Sequence, residues 1–241
     1  MKIGGLQPSY LPWLGYFEQI HKTDLFILCD ELQYEKYSWR NRNRIRTKHS
    51  LVRLIVPVVS SHTPEKQIKD IKVDYSTNWR KKHWLSLFYN YNNSPFFKNY
   101  MVFFKDVLKK KWEHLSDLNI EIIRELCRYL NIKTEIVVSS QLKLEDKFRK
   151  NFKSGDATDR IIFYCNEFGA NTFYEGKAGK NYVNEEKFAE ESIKLEYQNY
   201  QHPVYPQTGD DFISHLSAVD LLFNCGEKSL DILLNKTGRS S

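Results

Sequence analysis

Apolar positions along the chain alternate between the spacing of strands and that of helices. Lys2–Leu6 is a short apolar run, and Asp24–Asp30 (DLFILCD) is a continuous apolar stretch closed by acids, the pattern of a strand buried on both faces. Between them, Gln7-Pro8-Ser9-Tyr10-Leu11-Pro12 predicts a turn. Pro12 suits the first position of a helix, where its missing N–H is not needed, and Leu14, Phe17 and Ile20 follow at helical spacing. Strand, helix and strand in tight succession predict a parallel, right-handed βαβ unit. Leu51–Val59 (LVRLIVPVV) predicts another strand, ended or placed at an edge by Pro57.

A helical block follows. Ser76 or Thr77 is positioned to cap a helix running to about Tyr91, with Trp84, Leu87, Phe88 and Tyr91 on one face. Phe97, Tyr100, Phe104, Val107 and Leu108 make a second stripe; Leu118, Ile122, Ile123, Leu126 and Leu130 make a third, stopped at Asn131. Strands are then expected at Ile136–Val138, Asn171–Tyr174 and Ile193–Gln198. Helices are expected from Asp156 to Gly169 and over Asn184–Glu191, Phe212–Phe223 and Ser229–Leu234. The pattern predicts a single α/β domain over residues 1–241, Rossmann-like, with a mainly parallel sheet. Its segments are a βαβ unit plus hairpin (1–75), a helical insertion (76–132) and a second α/β half (133–241).

Composition narrows the class. Hydrophobic residues at 41% and aromatics at 15% exclude a disordered chain. No run approaches the ~18 apolar residues of a membrane-spanning helix, and the N-terminus lacks a signal-peptide pattern, so a cytoplasmic protein without membrane insertion is expected. Four scattered cysteines (Cys29, Cys127, Cys165, Cys225) without metal spacing read as reduced core thiols. A net charge of +6 is compatible with an anionic substrate or a nucleic acid.

In an open parallel sheet, ligands bind at the carboxyl ends of the strands. That rule selects Gln7 and Tyr10 after the first strand, Asp30 and Gln33 after the second, Ser139-Ser140 after a later one, and Tyr174–Lys180 after another. Gly15 sits where adenylate-forming enzymes carry a His-x-Gly-His element, but Trp13 and Tyr16 stand in place of the histidines, so close helix–strand packing is the preferred reading of Gly15. In Ser38–Arg46 (SWRNRNRIR), an extended strand would put Arg40, Arg42, Arg44 and Arg46 on one face and Trp39, Asn41 and Asn43 on the other. Such a row suits phosphate or carboxylate binding, or protects a solvated edge. His83 lies about 40° of arc from the apolar stripe of its helix, where it either packs or reaches a cleft. His202-Pro-Val-Tyr-Pro-Gln207 is a rigid loop with polar heads. Lys177 and Lys180, beside Gly176 and Gly179, are placed to hold an anion.

Several of these segments together resemble the WbqC-like protein family. They are Gln7-Pro-Ser-Tyr-Leu-Pro-Trp-Leu-Gly-Tyr-Phe17, Asp30 with Gln33-Tyr34, and Ser38-Trp-Arg-Asn-Arg-Asn-Arg-Ile45. The likeness continues through Trp79 and His83, Thr158-Asp-Arg160, Gly169-Ala170, Tyr174 and Gly176, Tyr182, the His202–Gln207 loop and Phe212–Gly226, so it spans essentially the whole chain. Arg40 stands where the family more often has Gln or another polar residue, which adds charge. The resemblance implies a bacterial protein of O-antigen and lipopolysaccharide biosynthesis, a transferase moving a glycyl or other aminoacyl group to an amino sugar. A more distant likeness is to pantothenate-synthetase-type ligases, with nucleotidyltransferase-type folds; there Glu175–Val183 would be the late loop and ATP the cofactor.

Amide formation needs a neutral amine, an activated carbonyl and donors for the oxyanion. By chemistry, His83 or Asp30 would take the amine proton. Arg42, Arg44 and Lys177 would hold a diphosphate. Gln7, Tyr10, Gln33 and Asn43 would read hydroxyls of a nucleotide-linked amino sugar, and Trp13 or Trp39 would stack on it. Arg160, Gly176, Tyr182, His202 and Gln207 complete the substrate set. The aminoacyl donor would be free, ATP-activated or carried on tRNA. A non-catalytic RNA- or tRNA-binding module is the second reading, and a scaffold of polysaccharide assembly the third.

Overall fold

The computed structural model describes residues 1–59, 66–152, 154–209 and 211–236. They form two compact units, interleaved along the chain. The first comprises Met1–Gln7, Glu18–Leu32 and Lys133–Tyr200; the second comprises the described parts of Pro8–Phe17, Gln33–Ile132 and Gln201–Ser241. Each unit therefore draws on more than one of the consecutive segments read from the sequence. Among the described residues, no helix is long and apolar enough to cross a membrane.

The first unit is built on a five-stranded sheet of β1 (Lys2–Leu6), β2 (Leu25–Leu28), β5 (Glu135–Val138), β6 (Thr172–Glu175) and β7 (Lys194–Tyr197). Every pairing is parallel, in the order β5-β2-β1-β6-β7. The fold class is thus α/β and Rossmann-like, as the apolar runs predict. Central β1 carries two glycines for a steric reason. A Cβ at Gly4 would sit 3.1 Å from Thr23 Cγ2 and 3.1 Å from the Tyr174 carbonyl oxygen. Helices α5 (Leu144–Asn151), α6 (Ala157–Glu167) and α7 (Glu185–Glu190) belong to this unit. Its core joins Ile3, Ile27, Leu144, Phe148, Ile162, Cys165, Phe173 and Phe188. Helix α6 opens with a reciprocal capping box, Asp156 accepting from the Asp159 N–H and Asp159 from the Asp156 N–H.

The second unit holds the antiparallel hairpin β3 (Arg42–Arg46) and β4 (Leu51–Ile55). It also holds the helices α2 (Trp79–Tyr91), α3 (Phe97–Lys109), α4 (Leu115–Tyr129), α8 (Ala218–Cys225) and α9 (Ser229–Leu233). Phe223 anchors it, with its ring edge-on to Tyr91 (5.1 Å), Phe97 (5.1 Å) and Phe104 (5.3 Å). Truncation to Ala would cost about 3–5 kcal/mol. The remaining helix, α1 (Leu14–His21), spans the point where the chain leaves one unit for the other; Leu14, Phe17 and Ile20 are all buried. All four cysteines are buried and unbridged.

Three local expectations need correction. First, Phe212–Ser217 is not helical. Gln207 pins the Ile213 backbone from both sides, its Nε2 donating to Ile213 O and its Oε1 accepting from Ile213 N–H, each at 2.9 Å. His215 has φ 59°, and the helix starts only after Ser217, whose hydroxyl accepts from Val219 N–H. Second, Trp39–Asn41 is a 3-10 turn, so the extended row of arginines starts at Arg42. Ser38 caps that turn by accepting from Arg40 N–H. Third, helix α1 begins at Leu14 rather than Pro12, because Leu11 holds φ 45° and the Pro12 carbonyl accepts from Ala218 N–H.

Candidate functional site

In the first unit the strand order reverses at β1, between β2 and β6. The crevice outside the carboxyl ends at such a reversal is where parallel sheets take ligands. The residues delivered there are Gln7 after β1, Cys29-Asp30-Glu31 after β2, and Glu175-Gly176 at the end of β6; Ser139-Ser140 follow the flanking β5.

Glu175 is the group best prepared for chemistry. It is 4% exposed. Its Oε1 accepts from Gly176 N–H at 2.7 Å, and the Tyr182 hydroxyl donates to its carboxylate. Burial nevertheless raises its pKa to about 7, against the lowering pull of both bonds. A carboxyl there gains and loses a proton at neutral pH, as a general base or acid must. The 3-10 turn Lys177–Asn181 packs against it, with Lys177 and Lys180 exposed beside it.

The neighbouring groups are more tightly committed. Asp30 Oδ1 accepts from the Ser139 hydroxyl (2.9 Å) and Ser140 N–H (3.0 Å), and Oδ2 from the Ser140 hydroxyl (2.7 Å). It ties the end of β5 to the end of β2. Burial, reinforced by Asp30, pushes the Cys29 thiol up and keeps it protonated. Arg160 forks onto Glu145 at 2.9 and 3.3 Å and lies 5.0 Å from the Phe148 ring. Tyr164, 3% exposed and electrostatically coupled to Cys29, Glu145 and Arg160, has a buried hydroxyl without a hydrogen-bond partner.

The second unit gathers the other residues singled out by sequence. The Tyr10 hydroxyl and His83 Nδ1 share a hydrogen bond at 2.9 Å, and the His83 ring also bonds the Ile55 backbone. Burial lowers the His83 pKa to about 4, so the ring is neutral at pH 7. Asn43 Nδ2 donates to the Tyr10 (3.3 Å) and Leu11 (2.6 Å) carbonyls, fixing the turn that carries Tyr10. Gln33 bridges to Gln67. Trp13 stacks on His215 at 5.4 Å, and His202 Nε2 accepts from His215 N–H at 3.0 Å. Gln207 donates to Asp220 Oδ2 at 2.9 Å, besides holding Ile213. Arg42 lies over the Tyr37 ring (5.7 Å) and Arg44 over Trp39 (5.3 Å), where both aromatic rings are exposed. Arg44 Nε is buried and without a partner.

The expected site residues therefore fall into two sets. Gln7, Asp30, Arg160, Gly176, Lys177 and Tyr182 belong to the sheet unit. Tyr10, Trp13, Gln33, Trp39, Arg42, Asn43, Arg44, His83, His202 and Gln207 belong to the second. Glu175 stands in the strand-end loop Tyr174–Lys180 with no role legible from sequence. The available signal was an acid closing a strand, followed by Gly-Lys-Ala-Gly; its burial becomes visible only in the fold.

The fold and site define an α/β protein with a parallel sheet and a buried carboxyl at the strand-order reversal. More specifically, the chain belongs to the WbqC-like protein family, whose sequence profile matches residues 7–232. "Uncharacterized protein Rv1507c" of Mycobacterium tuberculosis (strain ATCC 25618 / H37Rv) is 33% identical over 234 residues, covering 96% of this chain and 97% of that protein. No solved structure matches the chain.

Proposed function

We propose that this chain is an amide-forming transferase of bacterial surface-polysaccharide biosynthesis, moving a glycyl or other aminoacyl group onto a nucleotide-linked amino sugar. The observation that carries this reading is Glu175, buried at the strand-order reversal and titrating near neutrality. Membership of the family supports the setting. In the reaction, the sugar amine attacks the acyl carbonyl carbon, and a C–N bond forms as the bond to the leaving group breaks. Glu175 takes the amine proton and returns it to the leaving group. Tyr182, already hydrogen-bonded to Glu175, keeps the carboxylate oriented. Asp30 sets the position of the adjoining strand end, and His83 sets the position of Tyr10. Lys177, exposed beside Glu175, supplies a cation for the diphosphate, and Arg42 and Arg44 are a separate pair of cations in the second unit.

The test uses the full chain with UDP-amino sugars and either glycine plus ATP or glycyl-tRNA, with product mass as readout. A glycylated sugar nucleotide is expected, and Glu175→Gln should slow its formation by about 100-fold or more. Absence of amide product with every donor, or full activity in Glu175→Gln, overturns the reading. AMP release coupled to product would assign the ATP-dependent, adenylate-forming version, with ATP as a co-substrate.

A further inference from the structure

The folded chain joins two basic segments that lie far apart in sequence. Helix α2 begins Trp79-Arg80-Lys81-Lys82, and α3 ends with Lys109, followed by Lys110 and Lys111. Arg80 fastens them: its guanidinium donates to the Lys109 carbonyl at 2.7 Å and the Lys110 carbonyl at 3.2 Å. Arg80 and Lys111 both lie over the Tyr75 ring, at 5.0 and 5.4 Å. Between the helices is an open cavity of about 280 Å³, lined by Asn78, Arg80, Lys81, Trp84, Lys105 and Lys109.

The charge balance is lopsided. Residues 78–84 and 105–112 hold seven cations (Arg80, Lys81, Lys82, Lys105, Lys109, Lys110, Lys111) and one carboxylate, Asp106, a surplus equal to the +6 of the whole chain. Ion pairs elsewhere on the surface are plentiful, yet among the described residues none of these seven cations meets a carboxylate. Like charges held this close repel one another unless a polyanion joins them.

We infer that this α2–α3 face docks the phosphate backbone of a structured RNA. A mononucleotide carries two or three charges and would leave most of the seven cations uncompensated. A polynucleotide matches them along its length, and the Trp84 wall of the cavity offers an unpaired base an aromatic surface. The inference deepens the proposed function, to which it supplies a docking face for an RNA-borne aminoacyl donor. It is measured without aminoacyl groups or sugar nucleotides, so a failure of amide transfer leaves it standing.

The experiment is fluorescence anisotropy of a labelled, uncharged bulk transfer RNA with the full chain across a salt series. Binding should weaken steeply with salt. The triple variant Lys81→Gln/Lys105→Gln/Lys109→Gln should bind at least tenfold more weakly, with the log–log salt slope reduced by about 2 to 3, near 0.7–0.9 per lost contact. Its melting temperature should match the parent, since all three side chains are exposed and make no ion pair. Parallel arms use UMP, AMP and phosphatidylglycerol vesicles. RNA affinity unchanged in the triple variant overturns the inference. So does binding of a mononucleotide or the vesicles through these lysines without binding of RNA.

Discussion

Glu175 and Gly179 compete for one volume: a Cβ built on Gly179 would lie 2.1 Å from Glu175 Cγ and 2.8 Å from its Cδ. The contact is with the root of the carboxylate side chain, so no small rotation at its tip relieves it. The glycine four residues downstream is what allows the carboxyl to stay folded against its own strand end.

Gly179→Ala should therefore act on Glu175 while leaving its chemistry in place. The displaced carboxylate moves toward solvent, and its pKa falls from about 7 toward the usual carboxylate range. The limb of the pH–rate profile near 7 should shift to lower pH, and turnover should drop with the lost geometry. A profile superimposable on that of the parent would mean that Gly179 does not position Glu175.

The same raised pKa has a thermodynamic signature. Folded Glu175 titrates near 7 and an unfolded glutamate near 4.3, so its stabilising contribution is complete below pH 4 and is lost as pH rises through 7. Glu175→Gln removes that loss. Relative to the parent, the variant should gain stability between pH 4.5 and 8, by an amount on the order of 3 kcal/mol. Urea unfolding at pH 5 and pH 8 reads it, and an equal difference at both would contradict the assignment.

His83 supplies the opposite sign. Its folded pKa is about 4, below the unfolded value near 6.5, so its contribution is present above 6.5 and is lost as pH falls through 4. Protonation makes Nδ1 a donor, so its bond with the Tyr10 hydroxyl can persist only with the hydroxyl turned to accept. Tyr10→Phe leaves the buried Nδ1 without its partner and should destabilise by about 1–3 kcal/mol at pH 7. Because a bare Nδ1 takes a proton more readily, the variant should lose less stability than the parent on going to pH 5. Parallel losses in the two proteins would refute the pairing.

The parallel sheet was readable from the sequence because its strands are apolar runs between acids, glycines and prolines, as in Asp24–Asp30. The start of α6 was readable for a similar reason, since Asp156 stands as a cap before an apolar face; the reciprocal bond to Asp159 shows only in the fold. What misled was apolar spacing without a local brake. Phe212 and Leu216 continue the helical period of α8, yet the side chain of Gln207 holds that backbone out of a helix. Helix α5 carries no legible apolar stripe, because only Leu144 and Phe148 of its eight residues are buried hydrophobics. Glu175 reads as an ordinary strand-end acid until the sheet shows that it is enclosed. The interleaving of the units depends on long-range packing, which no local period encodes.

The arginines of Arg40–Arg46 now separate by role. Arg40 lies in the 3-10 turn, its guanidinium donating to the Ser9 hydroxyl at 2.8 Å. Arg46 is 3% exposed, with Nε on the Thr208 carbonyl at 2.9 Å and its charge facing the buried Asp220. Asp220 accepts from Tyr91, Tyr205 and Gln207, so Arg46 belongs to a structural network. Arg42 and Arg44 alternate with the buried Asn43 and Ile45 and lie over exposed aromatic rings. Arg42 Nε donates to Asn41 Oδ1 at 3.0 Å and Arg44 Nη2 to the His215 carbonyl at 3.4 Å, and the remaining guanidinium N–H groups of this pair would be the ones to meet a diphosphate. Arg42→Ala and Arg44→Ala should each weaken sugar-nucleotide binding by about tenfold, roughly 1.4 kcal/mol, with melting temperatures unchanged. Arg46→Ala should instead lower the melting temperature by several degrees, because it strips a buried carboxyl network of its cation. Calorimetry and thermal melting on the three variants separate the cases. Equal binding loss in all three, or a melting shift in Arg42→Ala alone, would show that strand position does not sort them.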